Sequence, residues 1–482
     1  MKTQVQYETI IGLEVHVQLS TKSKAYCADA NKFGEPPNQC VSPISLGYPG
    51  TLPQPNKEVI NSAIKLGLAL NCNITEHNLY ARKNYFYPDL PKGYQITQDN
   101  TPICTGGYVE IDISESSSKT IALTRIHMEE DAGKSIHDLD PFHSLIDFNR
   151  AGVALLEIVS EPEIRSPKEA YLYLQEIRKI VRYLGISNGN MEEGSLRCDA
   201  NISVKPINEK KLRNRVEVKN INSFKNVMKA IELEVDRQIN CYNQKKEVNQ
   251  ETRNYNAASN TTTLLRSKED AHDYRYFPEP DILPIILDNN IINAIKKEMP
   301  MLPKEHYLIF TKKHQLSHYD SKLLTEDRDF ADLFNMIIKH TKHYKTVVNI
   351  LMGTIKSYLN EKSCSINDLN IKAEHLAELA NMLEDNRISH TIVAQKLFPA
   401  MLTNNTETPF NIATKNGWLQ KNNTTLILEL VNQTMKKNPE KVIKYKAGKT
   451  NLIGFFMGEI MRETKGKINP KLINEVLKNK LS

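Results

Sequence analysis

Acidic, imidazole and guanidinium side chains recur on one face of four segments whose sequences alternate in the manner of β-strands. Because successive side chains of a strand point to opposite faces, Glu14 and His16 share one face, and Leu13 and Val15 share the other. Carboxylates seldom remain in such apolar strands without a partner. The four segments and their polar residues are 12–19 with Glu14 and His16, 125–131 with His127, Glu129 and Glu130, 153–159 with Glu157, and 195–204 with Arg197, Asp199 and Asn201.

So many acids on one sheet face would repel one another unless a divalent cation or arginine neutralised them. The available cations are Arg125, Arg197, Lys219 and Arg275. The guanidinium group of arginine can donate two parallel hydrogen bonds to phosphate oxygens. Catalysis of phosphoryl transfer depends mainly on positioning and charge neutralisation. The pattern therefore favours a site for Mg²⁺ and a nucleotide. For each acid taken singly, a solvated sheet face is the alternative.

Two short sequences imitate the end of a phosphate-binding loop, at residues 133–135 and 448–450. The motif needs a glycine five residues before its Gly-Lys pair, where this chain has Met128 and Ile443. Neither segment therefore predicts a P-loop. If ATP is used, another architecture binds it.

The chain of 482 residues exceeds one ordinary core, so we expect two or three domains. Strand and helix patterns mix in its first part, and the remainder is helical in pattern. Prolines break both periods at 278–284, and a polar run covers 403–409. We predict an α+β domain over 1–290, an all-α helical domain over 291–405 and a small helical tail domain over 406–482.

Three helices can be predicted with their ends. Ser166 and Glu169 form a capping box, which predicts a helix over roughly 167–184. Apolar residues at helical spacing predict a second helix over 223–243. The last helix is expected to start at Asn469-Pro470, because proline is favoured in the first turn.

The end of the chain is basic. Residues 301–482 contain 27 Lys and Arg against 18 Asp and Glu, and many of these lysines bracket the apolar segment 452–458. A helical core with basic loops would bind a phosphate backbone without reading sequence, and a solvated lysine surface is the alternative. The candidate nucleic-acid-binding residues are Lys441, Lys444, Lys446, Lys449, Lys465 and Lys467.

Seven scattered cysteines argue against a disulfide framework. The sequence contains no apolar run of membrane-spanning length, and its start lacks the apolar block of a signal peptide. We therefore expect a cytoplasmic protein that does not enter a membrane, with a mature organellar form as the alternative.

Five blocks of this sequence together resemble the B subunit of the aspartyl/glutamyl-tRNA(Asn/Gln) amidotransferase family. They occur in the same order as in that family, and the resemblance runs from about residue 5 to the end. The blocks are 11–17 (IGLEVHV), 82–89 (RKNYFYPD), 127–134 (HMEEDAGK), 191–201 (MEEGSLRCDAN) and 273–281 (DYRYFPEPD).

The resemblance implies a cradle-shaped catalytic domain related to glutamine synthetase, followed by the helical domain and a tRNA-binding tail. It also implies two partners, an amidase (the A subunit) that releases ammonia from glutamine and a small protein (the C subunit). In such enzymes ATP and Mg²⁺ phosphorylate the side-chain carboxylate of Glu-tRNA(Gln) or Asp-tRNA(Asn), and ammonia displaces the phosphate.

The resemblance also implies roles for particular residues. Its metal ligands would be Glu14, His16, Glu129 and Glu130. The nucleotide or substrate contacts would be Arg197, Asp199 and Lys219. The catalytic set would be Glu14, His16, Glu129, Glu130, Glu157 and Glu193.

The chain departs from the family at one place. Many members have four cysteines as a zinc site where this chain has Cys27, Asp29, Ser42 and Ser45. Hydroxyls are poor zinc ligands, so we predict no zinc here.

Two other functions stay open at this stage. One is a free-standing ATP-dependent ligase that forms an amide on a small acid. The other is a tRNA-binding subunit without chemistry, whose acids are structural.

Overall fold

The computed structural model describes residues 5–267, 273–420, 424–464, 468 and 470–481. The chain forms two compact units, one up to Pro303 and one from Lys304. The first mixes strands and helices around a large sheet, and the second is helical. Across the described ranges, none of the helices combines the length and the apolar character that a membrane span needs.

The first unit contains all the strands of the described chain. In chain order they are β1 (Tyr7–Gln18), β2 (Asn73–Ile74), β3 (His77–Asn78), β4 (Ala81–Asn84), β5 (Tyr94–Thr97), β6 (Cys104–Thr105), β7 (Tyr108–Ser114), β8 (Ser117–Glu130), β9 (Lys134–Ile136), β10 (Leu145–Asp147), β11 (Ala154–Ser160), β12 (Leu196–Pro206), β13 (Val216–Ile221), β14 (Glu251–Asn256), β15 (Thr261–Ser267), β16 (Phe277–Pro278) and β17 (Ile285–Ile286).

The large sheet has the strand order β15-β14-β13-β12-β1-β11-β8-β6-β2, and β7 pairs with β8. The central strands β12, β1, β11 and β8 are all antiparallel to their neighbours. In β1, Leu13, Val15 and Val17 are buried, whereas Glu14 and His16 are only partly buried. One face of this strand therefore builds the core, and the other carries Glu14 and His16, as the sequence predicted.

Four helices belong wholly to the first unit. They are α1 (Lys57–Ala69), α2 (Pro167–Tyr183), α3 (Phe224–Asn243) and α4 (Asn289–Lys297). α2 and α3 bury apolar residues such as Tyr173 and Ile231 in the same core as Val15 and Ala200. This packing supports the sheet from its apolar face.

The predicted helices are confirmed. Ser166 accepts a hydrogen bond from the Glu169 amide at 3.2 Å, and the Glu169 carboxylate accepts one from the Arg165 amide at 2.9 Å. Ser223 caps α3, and the last helix begins at Pro470.

The first unit continues past residue 290, where the sequence placed a domain boundary. β17 pairs with β3, and α4 packs against α1 and buries Ile295 in the core of the sheet. The segment after the proline-rich stretch is therefore still part of the first unit.

The remaining helices form two separate hydrophobic cores. The first core includes Phe334, Leu379 and Phe398 and extends to Ile412 in the helix Pro409–Lys415. The second includes Ile427, Phe456 and Ile473. The predicted boundary at residue 405 therefore lies before the last helix of the first of these cores. The helices are α5 (Pro303–Lys312), α6 (His318–Thr325), α7 (Arg328–Ile337), α8 (Tyr344–Asn349), α9 (Lys356–Lys362), α10 (Ala373–Glu384), α11 (His390–Ile392), α12 (Phe398–Thr403), α13 (Pro409–Lys415), α14 (Thr424–Lys437), α15 (Pro439–Lys446), α16 (Ile453–Glu463) and α17 (Pro470–Leu481), with π-helical turns at Ile350–Ile355 and Val393–Leu397 and 3₁₀ turns at Ile366–Asp368 and Thr450–Leu452.

Candidate active site

The strand register aligns one polar residue from each of four strands. Arg197 in β12 lies opposite His16 in β1, which lies opposite Glu157 in β11, which lies opposite His127 in β8. The sequence separates these residues by up to 181 positions, but antiparallel pairing brings them into one row across the sheet. A second row contains Asp199 opposite Glu14.

The first row forms a cluster of imidazoles and carboxylates. Glu157 Oε2 lies 3.2 Å from His16 Nε2 and 3.3 Å from His127 Nε2. Glu129 Oε2 lies 3.5 Å from His127 Nε2, and its other oxygen lies 3.4 Å from Lys83 Nζ. Potential ligand atoms of His127, Glu129 and Glu157 all lie within 4.8 Å of one another.

Burial and charge oppose each other in this cluster. Burial lowers the pKa of His127, but Glu157 and Glu129 outweigh it and raise that pKa to about 9. Burial raises the pKa of Glu129, but Lys83 and His127 outweigh it and lower that pKa to about 2. The cluster therefore holds an ionised Glu129 next to a protonated His127. Burial lowers the pKa of His16, but Glu157 outweighs it and raises that pKa above its ordinary value.

The second row forms a cluster of carboxylates alone. Glu14, Asp199 and Glu217 each offer an oxygen, and these atoms lie within 4.8 Å of one another. Lys219 Nζ lies 2.5 Å from Asp199 Oδ2 and 3.0 Å from Glu217 Oε1. Burial, followed by the charges of Glu157 and Glu217, raises the pKa of Glu14, so this carboxyl lacks full neutralisation.

The two clusters differ in how well they fit Mg²⁺. Mg²⁺ prefers oxygen ligands, whereas imidazole nitrogen suits transition metals. The oxygens of Glu14, Asp199 and Glu217 therefore fit Mg²⁺ better than the mixed cluster does. An ion there would take over the neutralising role that the Lys219 ammonium now has.

Both clusters face one cavity of about 570 Å³. Its walls include Arg125 and Arg215 as well as both acidic sets. A volume of this size lies within the range of small-molecule sites in proteins.

Glu130 lies apart from both clusters. It is buried, and its Oε1 accepts a hydrogen bond from the Ile96 amide at 2.7 Å and another from Lys92. Because Glu129 and Glu130 are adjacent in a strand, they point to opposite faces. The structure brings Glu129 to the site and does not bring Glu130 there.

Glu193 also lies outside the clusters. It is exposed, accepts a hydrogen bond from Asn188 Nδ2 at 3.0 Å, and lines a separate cavity of about 750 Å³. Arg197 lines the same cavity, and its Nη2 donates to Asp131 Oδ2 at 2.7 Å. Lys219 and Asp199 line both cavities.

Sequence reasoning missed Glu217 and Lys83 as members of the site. The sequence signal that could have identified Glu217 was its alternation with the buried Val216 and Val218. Lys83 lies in the short strand β4 outside the large sheet, so no periodic pattern connected it with Glu129.

The predicted nucleic-acid-binding lysines lie at the basic end of the chain. Lys444, Lys446 and Lys449 are exposed, whereas Lys441 Nζ lies 3.1 Å from the centre of the Phe455 ring. Lys465 and Lys467 lie outside the described residues.

The loop that follows Cys27 is held by polar contacts. Asp29 Oδ2 accepts a hydrogen bond from Ser45 Oγ at 2.5 Å, and the buried Lys24 ammonium donates to the Cys40 carbonyl oxygen at 2.6 Å. Within the described ranges, Cys27 belongs to neither cluster of three potential metal ligands.

Comparison with known proteins gives matches over nearly the whole chain. Residues 9–293 match the family model described as the GatB/GatE catalytic domain, and residues 332–481 match the model described as the GatB domain.

Curated relatives match at full length. A protein of Thermodesulfovibrio yellowstonii is 46% identical over 98% of this chain and 99% of its own length. A protein of Thermotoga neapolitana is 45% identical over 99% of both chains. One of Chlorobaculum tepidum is 46% identical over 99% of this chain and 100% of its own length. All three are named as the B subunit of aspartyl/glutamyl-tRNA(Asn/Gln) amidotransferase.

Proposed function

The chain belongs to the GatB/GatE family of tRNA-dependent amidotransferase B subunits, and we propose that its polar sheet face activates the side-chain carboxylate of a misacylated tRNA. The enzyme of which such a chain is part amidates Glu-tRNA(Gln) and Asp-tRNA(Asn). We assign the activation step to the two clusters that face the 570 Å³ cavity.

The reaction has a chemical obstacle that the site must remove. A carboxylate resists attack by ammonia because it is negatively charged and has no good leaving group. Transfer of the γ-phosphoryl group of ATP to a carboxylate oxygen gives an acyl phosphate and ADP. Ammonia then forms the carbon–nitrogen bond, phosphate leaves with the electron pair of the broken carbon–oxygen bond, and a proton is lost from nitrogen.

The residues divide this work between the two clusters. Glu14, Asp199 and Glu217 would hold Mg²⁺, which neutralises phosphate charge when it is bound. Glu157 holds the Nε2 atoms of His16 and His127 and so fixes both rings. The charge of the protonated His127 lowers the electrostatic cost of bringing anionic phosphate into the cavity. These groups are preorganised because the strands hold their side chains in register.

A single observation carries the proposal. Acids from four distant strands, β1, β8, β11 and β12, together with Glu217 from β13, converge on one cavity with imidazole and cationic side chains beside them. Acids with purely structural roles would each be neutralised by a partner, whereas burial and like charges raise the pKa of Glu14. This favours a catalytic role over a subunit that only binds tRNA.

The test uses the chain in complex with its partner subunits. We expect Glu157→Gln to reduce ATP hydrolysis that depends on Glu-tRNA(Gln) by at least about 100-fold, because the two imidazoles lose their shared anion. Glutamine hydrolysis by the partner should continue and so report an assembled complex. Glu115→Gln, in an exposed turn, is the matched control. An E157Q complex that retains tRNA-dependent ATP hydrolysis would exclude this site.

Several finer points belong to the same proposal. We infer a cradle-shaped first domain related to glutamine synthetase, two partners in the form of an amidase (the A subunit) and a small protein (the C subunit), and a cytoplasmic location of the bacterial type. The word subunit in the names of the relatives supports an assembly of several chains. The exposed Lys444, Lys446 and Lys449 suit contact with the tRNA backbone.

A further inference from the structure

A short aromatic segment forms one wall of the 570 Å³ cavity. Tyr274 and Tyr276 line this cavity beside Lys83, and the centre of the Tyr274 ring lies 5.3 Å from Lys83 Nζ. The Tyr274 ring also meets the rings of Tyr85 and Tyr276 edge-on, at 6.0 Å and 5.9 Å between ring centres. Aromatic rings therefore cover the ammonium that lies against Glu129.

Strand β4 supplies Lys83 and also holds the segment that covers it. Because side chains alternate along a strand, Arg82 and Asn84 leave the face opposite to that of Lys83. Arg82 holds the C-terminal end of the segment, where its guanidinium donates to the Glu279 carboxylate at 2.7 Å and 2.8 Å. Asn84 contacts the N-terminal end. One strand therefore fixes both the cation and the wall beside it.

The turn at the N-terminal end has an unfavourable backbone conformation. Arg275 has a φ of 45°, in the left-handed region that is costly for a residue with a Cβ atom. The side-chain amide of Asn84 donates to the carbonyl oxygens of Arg275 at 2.9 Å and of Tyr274 at 3.3 Å. Asp273 Oδ1 accepts a hydrogen bond from the Arg275 amide at 3.1 Å. A strained residue persists only where its surroundings hold it, and such residues cluster at active sites.

The conformation of Arg275 matters for its neighbours more than for its own side chain. That side chain is 82% exposed, and its Nε lies 3.9 Å from Asp273 Oδ2. Tyr274 and Tyr276, on either side of it, line the cavity. The left-handed turn therefore sets where the two rings lie.

The reaction needs a closed wall at this place. An acyl phosphate reacts with water as well as with ammonia. Water would form a new carbon–oxygen bond, phosphate would leave with the electron pair of the old one, and loss of a proton would restore the carboxylate with ATP consumed and no amide formed. Closure of an active site against water prevents such side reactions.

We propose that Asn84 is a positioning residue for the amidation: it holds the turn at Tyr274 and Arg275, so that the tyrosine wall keeps water from the acyl phosphate. Asn84 lies behind this wall and acts through the two tyrosines. The inference rests on the proposed function, because it assumes that an acyl phosphate forms in this cavity.

The first experiment measures the ratio of ATP hydrolysed to Gln-tRNA(Gln) formed by the complete complex with Glu-tRNA(Gln) and glutamine. Asn84→Ala should raise this ratio by about 3-fold or more, because the loss of two hydrogen bonds shifts the turn toward open conformations by about 10-fold. Asp273→Ala, at an exposed position, should raise the ratio as well.

Asn56→Ala is the matched control for N84A. The side-chain amide of Asn56 also donates to two carbonyl oxygens, those of Ser23 and Lys24, each at 3.1 Å, and it lies outside the aromatic segment. A loss of folded enzyme alone would lower both rates together and leave the ratio unchanged, so N56A should keep the ratio of the unmodified complex.

The second experiment tests the strain at Arg275. Glycine adopts a positive φ readily, so Arg275→Gly should return the ratio of N84A toward that of the unmodified complex. Arg275→Ala loses the same guanidinium but keeps a Cβ atom, and it should not restore the ratio.

The outcomes separate this inference from the proposed function. If N84A keeps the ratio of the unmodified complex, or if N84A does not assemble and D273A keeps that ratio, the role of Asn84 is wrong while the proposed function stands. Equal effects of R275G and R275A in the N84A background would also overturn it. If the unmodified complex consumes no ATP with Glu-tRNA(Gln), the proposed function fails and this inference fails with it.

Discussion

Glu157 and His127 lie opposite each other on β11 and β8, and Glu157 Oε2 is 3.3 Å from His127 Nε2. The same oxygen is 3.2 Å from His16 Nε2 on the other neighbouring strand. Burial opposes ionisation of Glu157, but the two imidazoles outweigh it and hold its pKa well below the usual range. One carboxylate oxygen thus fixes two imidazoles, and a metal ion could bind these nitrogens only if they lost their protons.

The dependence of the reaction on Mg²⁺ should therefore reside in the all-oxygen cluster. We expect Asp199→Asn and Glu217→Gln each to raise the Mg²⁺ concentration for half-maximal ATP hydrolysis by at least about 10-fold, because each removes a charged ligand. His127→Gln should lower the rate but change this concentration little. The measurement is a Mg²⁺ titration of tRNA-dependent ATP hydrolysis, and a larger shift for H127Q than for E217Q would contradict the assignment.

The sequence predicted much of this site because alternation is a local signal. The pattern around Glu14 and His16 required a strand with one polar face, and β1 has that form. The alignment of His16 with Glu157 and His127 depends on the register of strands far apart in the chain, and periodicity carries no information about register. The prediction for Glu130 failed for a different reason: adjacent residues of a strand point to opposite faces, so a strand that brings Glu129 to the site carries Glu130 on its other face.

Glu130 should be important for stability rather than for metal binding. Glu130→Gln leaves the largely buried Lys92 ammonium without its carboxylate, which should lower the free energy of unfolding by about 3 kcal/mol. The Mg²⁺ concentration for half-maximal ATP hydrolysis should stay unchanged, in contrast to E217Q. Chemical denaturation measures the free energy of unfolding, and the Mg²⁺ titration measures the Mg²⁺ requirement. A shift in the Mg²⁺ requirement of E130Q would indicate that Glu130 contributes to metal binding after all.

The loop around Cys27 should be stable without zinc. The Lys24 side chain has no exposed surface and donates to the Cys40 carbonyl oxygen, while Ser45 donates to Asp29. Lys24→Met should lower the free energy of unfolding by about 2 kcal/mol, because a charge-assisted hydrogen bond is lost. Lys22→Met, at an exposed position, is the control. Stoichiometric zinc in metal analysis of the purified protein would refute this account of the loop.

The basic tail should bind tRNA through its exposed lysines and not through Lys441. Replacing Lys444, Lys446 and Lys449 together with alanine should weaken the binding of tRNAs of different sequence to a similar extent, because contacts to phosphates do not distinguish one base from another. The slope of the logarithm of the binding constant against the logarithm of the salt concentration should fall in magnitude by about 2. Each phosphate that is no longer neutralised contributes about 0.7 to 0.9 to this change.

Lys441→Ala, in the same helix as Lys444 and Lys446, serves as the contrasting variant. Its ammonium lies over the Phe455 ring, so its loss should destabilise the tail and leave the salt slope unchanged. Filter binding of tRNA over a range of salt concentrations measures the slopes, and thermal unfolding measures the stability of the tail domain. If the triple variant kept the slope of the unmodified chain, these lysines would be no more than a solvated surface, and the tRNA contacts would have to lie elsewhere on the protein.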